Sequence, residues 1–312
     1  MKVTILKKAA LQGIPSASGV EVIDGMIYIM GDDSPFLFCL DHNLKLKAQV
    51  ELFKAEGFEG ERIPKKIKPD LECMTGLEIN NNKHILLMGS GSKLNRDKVY
   101  LVKLPTRYNK NHFVQEFSLT PLYNLFRSNS EITGDGTLNL EAAAADAEHL
   151  FLFNRANKAG NNVILTIKLE EFLPYLLEGS DMIPFPSIYN FTLPPIKNIP
   201  AGFSGADIVD NKIFFTASAE DTSDAYLDGD VAGSAVGLIE FESGDYLRGN
   251  YGFSFSDVKQ FETLKEDGKI FPWKVESISV YEKDSDSKYI ALAVTDDDKG
   301  GSEIMMMEIE LF

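Results

Sequence analysis

Three short apolar runs in a fixed order, repeated five times, constrain this chain more than any other feature of it. Each unit opens on a segment with an acid near its centre: SGVEVIDG (18–25), PDLECMTG (69–76), LNLEAAAA (138–145), SGADIVDN (204–211) and KVESISVY (274–281). A second run follows, as MIYIMG (26–31), HILLMG (84–89), HLFLFN (149–154), KIFFTA (212–217) and YIALAV (289–294). The third is FLFCLD (36–41), KVYLVKL (98–104), NVILTIKL (162–169), AVGLIEFE (235–242) and EIMMMEIEL (303–311). Runs rich in β-branched and aromatic residues, bounded by Gly, Asp, Asn and Ser, read as strands separated by turns.

A fourth, more polar strand is expected after each of the first four units, near 46–53, 112–119, 187–193 and 250–255. The last unit runs out at Phe312, so its outer strand must come from elsewhere, and KVTILKKAAL (2–11) is available. A first strand that completes the last sheet closes a ring. The expectation is therefore an all-β, single-domain chain over 1–312, a five-bladed β-propeller with four-stranded blades. A pair of β-sandwiches, or six blades with one unit missed, are the alternatives. Helix is expected only in connecting loops, at PLYNLF (121–126) and EEFLPYLL (170–177).

In such a ring the first strand of each unit lines the central channel, and side chains alternate faces along it. Glu21, Glu72, Glu141, Asp207 and Glu276 are then expected to converge. Gly19, Asp70, Asn139, Gly205 and Lys274, two residues earlier, share that face, the small ones leaving room for a ligand. Five acids in a narrow channel cannot all stay charged and unpaired. One resolution is a hard divalent cation held by these five residues, Ca²⁺ before Mg²⁺; the other is a water-filled channel with partly protonated acids or a bridging Lys274. His42, His84, His112 and His149 are scattered, so no zinc site is readable.

The loops between second and third strands should share the rim on which the inner strands begin. They and the segment before the second unit supply Arg62, Lys65, Lys66, Lys93, Arg96, Arg155 and Lys274, a set suited to a small anionic ligand or substrate. DTSDAYLDGD (221–230) lacks the spacing of a helix–loop–helix calcium site, and GSGSKLN joins antiparallel strands rather than opening a helix, which excludes a phosphate loop.

Composition narrows the partners. Asp and Glu number 47 against 31 Lys and Arg, a net charge of −16 that repels nucleic acid and anionic membranes. There is neither a signal-peptide pattern nor a long apolar segment, so a cytoplasmic monomer is expected, periplasmic or secreted if a leader has been removed. Cys39 and Cys73 lie in apolar runs and read as core thiols.

Through IPSASGVE (14–21), GDDSPFL (31–37), RIPKKIKPDLE (62–72), GSGSKLNRDK (89–98) and LNLEAAA (138–144), the chain resembles an uncharacterised family of bacterial propeller proteins. Its DLE and NLE signatures are more distantly similar to phytase-like, esterase-like propellers, and calcium-dependent lactonase propellers offer the same general idea. The resemblance implies a metal-dependent hydrolase of phosphate esters, carboxylic esters or lactones. Glu72 and Glu141 would act as ligands or general base, and Arg155 and Lys274 would orient the anionic substrate. The alternative is a non-catalytic propeller that binds a small ligand or a partner protein on its loop-rich face.

Overall fold

Both faces of every sheet are covered, and for this reason the apolar runs are continuous rather than alternating. The computed structural model describes residues 1–55, 58, 62–64, 67–106, 111–156, 160–220, 231–240, 255–258, 260–297 and 300–312. Five antiparallel sheets follow one another along the chain. From channel to periphery, the first blade is Ala17–Ile23, Met26–Gly31, Phe36–Leu40 and Leu46–Glu51. The second is Leu71–Ile79, Asn82–Gly89, Lys98–Lys103 and Phe113–Ser118, and the third Leu140–Ala145, His149–Asn154, Asn162–Lys168 and Ser187–Thr192.

The fourth blade is Gly202–Val209, Lys212–Glu220, Val231–Glu240 and Gln260–Thr263. The fifth is Lys274–Ser285, Lys288–Asp296 and Ser302–Glu310, completed by the N-terminal strand Lys2–Ala10 in antiparallel register from Lys2 opposite Glu310 to Ala10 opposite Glu303. Each inner strand touches the inner strands of both neighbouring blades, so the ring is closed.

One expected strand is corrected. Residues 250–254 lie outside the described residues, while Phe255–Asp257 pair in parallel with the outer strand of the third blade. The outer strand of the fourth blade is instead Gln260–Thr263, opposite Leu238 to Ala235. It is short and turns one apolar side chain, Phe261, to the core, which leaves little pattern to find.

The hydrophobic core is divided among the five seams between blades. On the second strand of the second blade, Ile85 and Leu87 face the first blade, while Leu86 and Met88 face the third. Met305 and Met307 likewise face the fourth blade, and Met306 faces the first. This is the two-residue period of a strand feeding two cores at once. Each fully buried Leu or Ile contributes about 1.5–3 kcal/mol relative to exposure. Cys39 and Cys73 are free thiols buried in two different seams.

Helices Thr120–Ser128 and Leu169–Leu177 occupy the two expected loops, and a short helix, Ser130–Thr133, follows the first. Tyr123 and Arg127 on the first of these hold the 89–97 loop through Gly89 O at 2.8 Å, Gly91 O at 2.8 Å and the Asp97 carboxylate. Among the described residues no helix is long and apolar enough to cross a membrane.

Candidate functional site

All five inner strands slip register by one residue at the same place, between Ala17 and Gly19, Leu71 and Cys73, Leu140 and Ala142, Phe203 and Gly205, and Val275 and Ser277. The residues taken up by these bulges are Ser18, Glu72, Glu141, Ser204 and Glu276. Bulges re-aim side chains, and these set the true equivalence between blades. Glu21 and Asp207 therefore stand three residues further along the channel, level with Thr75, Ala144 and Ser279. The single five-acid ring expected from the sequence is two layers.

The inner layer is structural. Asp207 accepts from the backbone N–H of Val280 at 2.6 Å, and Ser279 Oγ accepts from that of Val22 at 3.1 Å. Glu21 accepts in the same way from Gly76 N–H. At each of these three seams, the polar residue of one blade takes a backbone donor from the next. Burial pushes Asp207 up to about 6 against its backbone hydrogen bonds, and burial followed by the Asp207 charge raises Glu21 well above the usual range.

Gly19 and Gly205 do not open the channel. A Cβ on Gly205 would lie 2.4 Å from the Cα of Ser277, and one on Gly19 would sit 2.9 Å from Met30 Cε and 3.0 Å from Met74 Cβ. Both glycines serve close packing. The residues two before the bulges in the first and fourth blades are Ser16 and Gly202. The bulged Ser18 and Ser204 donate to the carbonyls of Leu71 at 2.8 Å and Val275 at 2.6 Å, each on the following blade.

The mouth of the channel gathers two acidic networks. In one, Lys68 Nζ contacts Asp32, Asp33 at 3.4 Å and Asp70 at 3.4 Å. Arg96 pairs with Asp70, and Arg62 with Asp33 at 2.5 Å. Ser90 Oγ donates to Asp70 at 2.6 Å. Oxygens of Asp32, Asp70 and Glu72 lie within 4.8 Å of one another. Burial raises Asp32 to about 7, with the Lys68 charge opposing. Burial, then Asp32, Asp70 and Glu141, raise Glu72 well above its ordinary value.

In the other network Arg155 bridges Glu141 at 3.3 Å and Glu220 at 2.7 Å, while Lys274 bridges Glu220 at 3.5 Å and Glu276 at 2.8 Å. Asn139 Nδ2 donates to Glu141 at 2.5 Å. Burial would raise Glu220, but Arg155 and Lys274 outweigh it and hold it at about 2. Glu276 is pushed up to about 8 by burial. Glu141 couples the networks, since its charge acts on both Glu72 and Glu276.

The structure thus brings together Glu72, Glu141, Glu276, Arg155, Lys274, Asp70, Arg62 and Arg96 of the residues singled out in the sequence. Lys65 and Lys66 lie outside the described residues, as does the 221–230 stretch. Asp32, Asp33, Lys68 and Glu220 are added. The adjacent acids after Gly31 and the third lysine of the 62–70 segment were visible in the sequence, but nothing there marked them as buried. Among the described residues, four carboxylates face three cations in the first network and three face two in the second.

No curated protein matches the chain in sequence. Solved structures resemble it over nearly the whole length. An exo-1,5-alpha-L-arabinanase from a bovine ruminal metagenomic library is 10% identical at a TM-score of 0.50, covering 96% of this chain and 94% of that one. The alpha-L-arabinanase of Cellvibrio cellulosa, complexed with arabinohexaose, is 11% identical at a TM-score of 0.50, with 97% and 92% covered. Glutaminyl cyclase of Myxococcus xanthus is 8% identical at 0.45, with 99% and 97% covered. At such identities the likeness to the two arabinanases is one of fold. A family model does match, across residues 13–309 and hence all five blades: the chain belongs to the family of unknown function DUF6929.

Proposed function

We propose that the channel mouth is a divalent-cation site, Ca²⁺ by preference, at which a small ester or lactone is bound and hydrolysed. The observation that carries this reading is the convergence of Asp32, Asp70 and Glu72 oxygens within 4.8 Å. The Asp32 Oδ1 atom is buried and has no hydrogen-bond partner among the described residues. Hard carboxylate oxygens without His or Cys suit Ca²⁺ or Mg²⁺ rather than zinc. Bound there, the ion would polarise an ester carbonyl or phosphoryl oxygen and lower the pKa of a coordinated water. Glu72 is placed to hold the ion, with Glu141 as the general base.

The test is thermal melting in EDTA, then with Ca²⁺, of the wild type and Glu72→Gln. Ion at a hundredfold over its dissociation constant should add about 2.7 kcal/mol to wild-type stability and nothing to the variant. An unchanged wild-type midpoint at millimolar Ca²⁺ overturns the reading.

A second reading, a non-catalytic ligand site, is favoured by the ion pairs themselves. Arg155 and Lys274 are each shared between two carboxylates, so neither is free to orient an anionic substrate. Stabilisation by Ca²⁺ with no turnover of p-nitrophenyl phosphate, p-nitrophenyl acetate or a γ-lactone decides for it.

A further inference from the structure

The Lys68 ammonium stands among the residues that would hold the ion. Its side chain is 9% exposed, and its Nζ contacts Asp32 Oδ2, Asp33 Oδ1 at 3.4 Å and Asp70 Oδ1 at 3.4 Å. Asp32 and Asp70 are two of the three residues whose oxygens converge within 4.8 Å, and the charge of Lys68 acts on the third, Glu72. The segment that carries it is anchored at the same mouth. Ile63 is buried and its N–H donates to Asp33 O at 2.8 Å, while the Lys68 N–H donates to Pro64 O at 3.2 Å.

The three carboxylates do not depend on this ammonium equally. Asp33 also takes Arg62 Nη2 at 2.5 Å and Ser16 Oγ at 3.1 Å, and Asp70 takes Arg96 and Ser90 Oγ at 2.6 Å. Asp32 has no such reserve. Among the described residues Lys68 is the side-chain partner of its Oδ2, and its buried Oδ1 has none. Withdrawing the ammonium therefore strands Asp32, the carboxylate that a divalent ion on Asp32, Asp70 and Glu72 would take over. Such an ion binds about 2.3–2.6 Å from its oxygens. An ammonium on the same two aspartates would then face it across a few ångströms in a buried site, where like charges repel strongly. The two cations exchange rather than coexist.

We propose that Lys68 is a built-in counter-ion that takes the place of the divalent cation at the mouth, so that each excludes the other. This rests on the cation-site reading and adds its regulation. Without the ion the chain supplies its own cation to Asp32, and the acids are not left to repel one another. The ion must displace a tethered competitor, which sets a concentration threshold for binding. A monovalent ion brings no more charge than the ammonium it would replace, so it gains nothing by entering.

The test is calorimetric titration of Ca²⁺ into the full chain as wild type, Lys68→Met and Lys68→Arg. Lys68→Met should bind Ca²⁺ roughly tenfold or more tighter than wild type, and Lys68→Arg, which keeps a cation on the tether, should not tighten binding. Equal or weaker binding by Lys68→Met overturns the proposal and leaves the cation site standing. Binding by Lys68→Met where the wild type takes up none supports the proposal and overturns the wild-type cation reading. Uptake by neither overturns both. Should Lys68→Met fail to fold, a brief acetylation of the wild type, read by peptide mass spectrometry, decides. Lys68 should be labelled severalfold faster in saturating Ca²⁺ than in EDTA, while the exposed Lys98 and Lys168 react alike in both. Lys68 equally protected in the two conditions sinks the proposal.

Discussion

The Asp207 carboxylate accepts a 2.6 Å hydrogen bond from the backbone N–H of Val280, tying the fourth inner strand to the fifth. Ser279 ties the fifth to the first, and Glu21 the first to the second, through the equivalent bond. Two of the five channel acids are thus seam pins. Holding a carboxylate in that position has a consequence for pH, because burial raises the affinity of both groups for protons.

Glu21 and Asp207 have folded pKa values above their unfolded ones, Asp207 moving from 3.8 to about 6. The native state then binds more protons than the unfolded chain, so stability falls as pH rises from about 4 through 6 and beyond. Glu21→Gln keeps an acceptor for Gly76 N–H but removes the charge. Its stability should match wild type near pH 4 and exceed it at pH 8. Urea unfolding at the two pH values measures this; an equal loss in both proteins between pH 4 and 8 would refute it.

Arg155 is the opposite case, a buried cation that two carboxylates depend on. Arg155→Met should destabilise the fold by about 3–5 kcal/mol, because Glu141 and Glu220 lose a partner in a desolvated site. Adding Glu220→Gln should recover part of the loss, since one of the stranded charges is then gone. Chemical denaturation of both variants checks the order; a double variant no more stable than the single one would mean that packing, not charge, accounts for the effect.

Blade number, ring closure and most outer strands were legible because they rest on apolar runs, and a sheet covered on both faces must present such runs. The layering of the acids was not. Alternation reports a side chain's face only while no residue is inserted, and every inner strand inserts one, at Ser18, Glu72, Glu141, Ser204 or Glu276. Spacing to the following turn carried the missing information. Glu21 and Asp207 stand three residues before the left-handed turn residues Asp24 and Asp210, whereas Glu72 stands eight before Asn80. The ion-pair partners Lys68 and Glu220 were hidden for a different reason, since long charged residues ordinarily sit outside and only the closed ring buries them.

Close packing of the inner strands gives a third prediction. A Cβ at residue 205 would collide with the Ser277 Cα and lie 2.9 Å from the Glu276 carbonyl oxygen, both backbone atoms that cannot rotate away. Gly205→Ala should therefore cost about 1–3 kcal/mol, well beyond an ordinary strand glycine substitution, and should disturb the Lys274–Glu276 pair, because the Glu276 carbonyl is part of the collision. A melting midpoint equal to wild type would show that the fourth and fifth blades can separate without loss.

Ring closure is the last. Lys2–Ala10 supplies the outer strand of the fifth blade, with Val3 and Ile5 against its core and Lys8 held by Glu266 at 2.8 Å and placed 5.1 Å from the Phe271 ring centroid. Deleting residues 1–10 leaves Ser302–Glu310 as a bare edge, and an unpaired edge beside apolar side chains invites pairing with another chain. The truncated protein should melt at least about 10 °C lower, given a loss of several kcal/mol, and should form higher oligomers on size-exclusion chromatography. A synthetic peptide of residues 1–11 supplied in excess should reverse this association and restore part of the midpoint, because strand addition recovers the same ladder of backbone hydrogen bonds. A truncated chain that keeps the wild-type elution volume and midpoint would mean that the first ten residues decorate the fifth blade rather than close the ring.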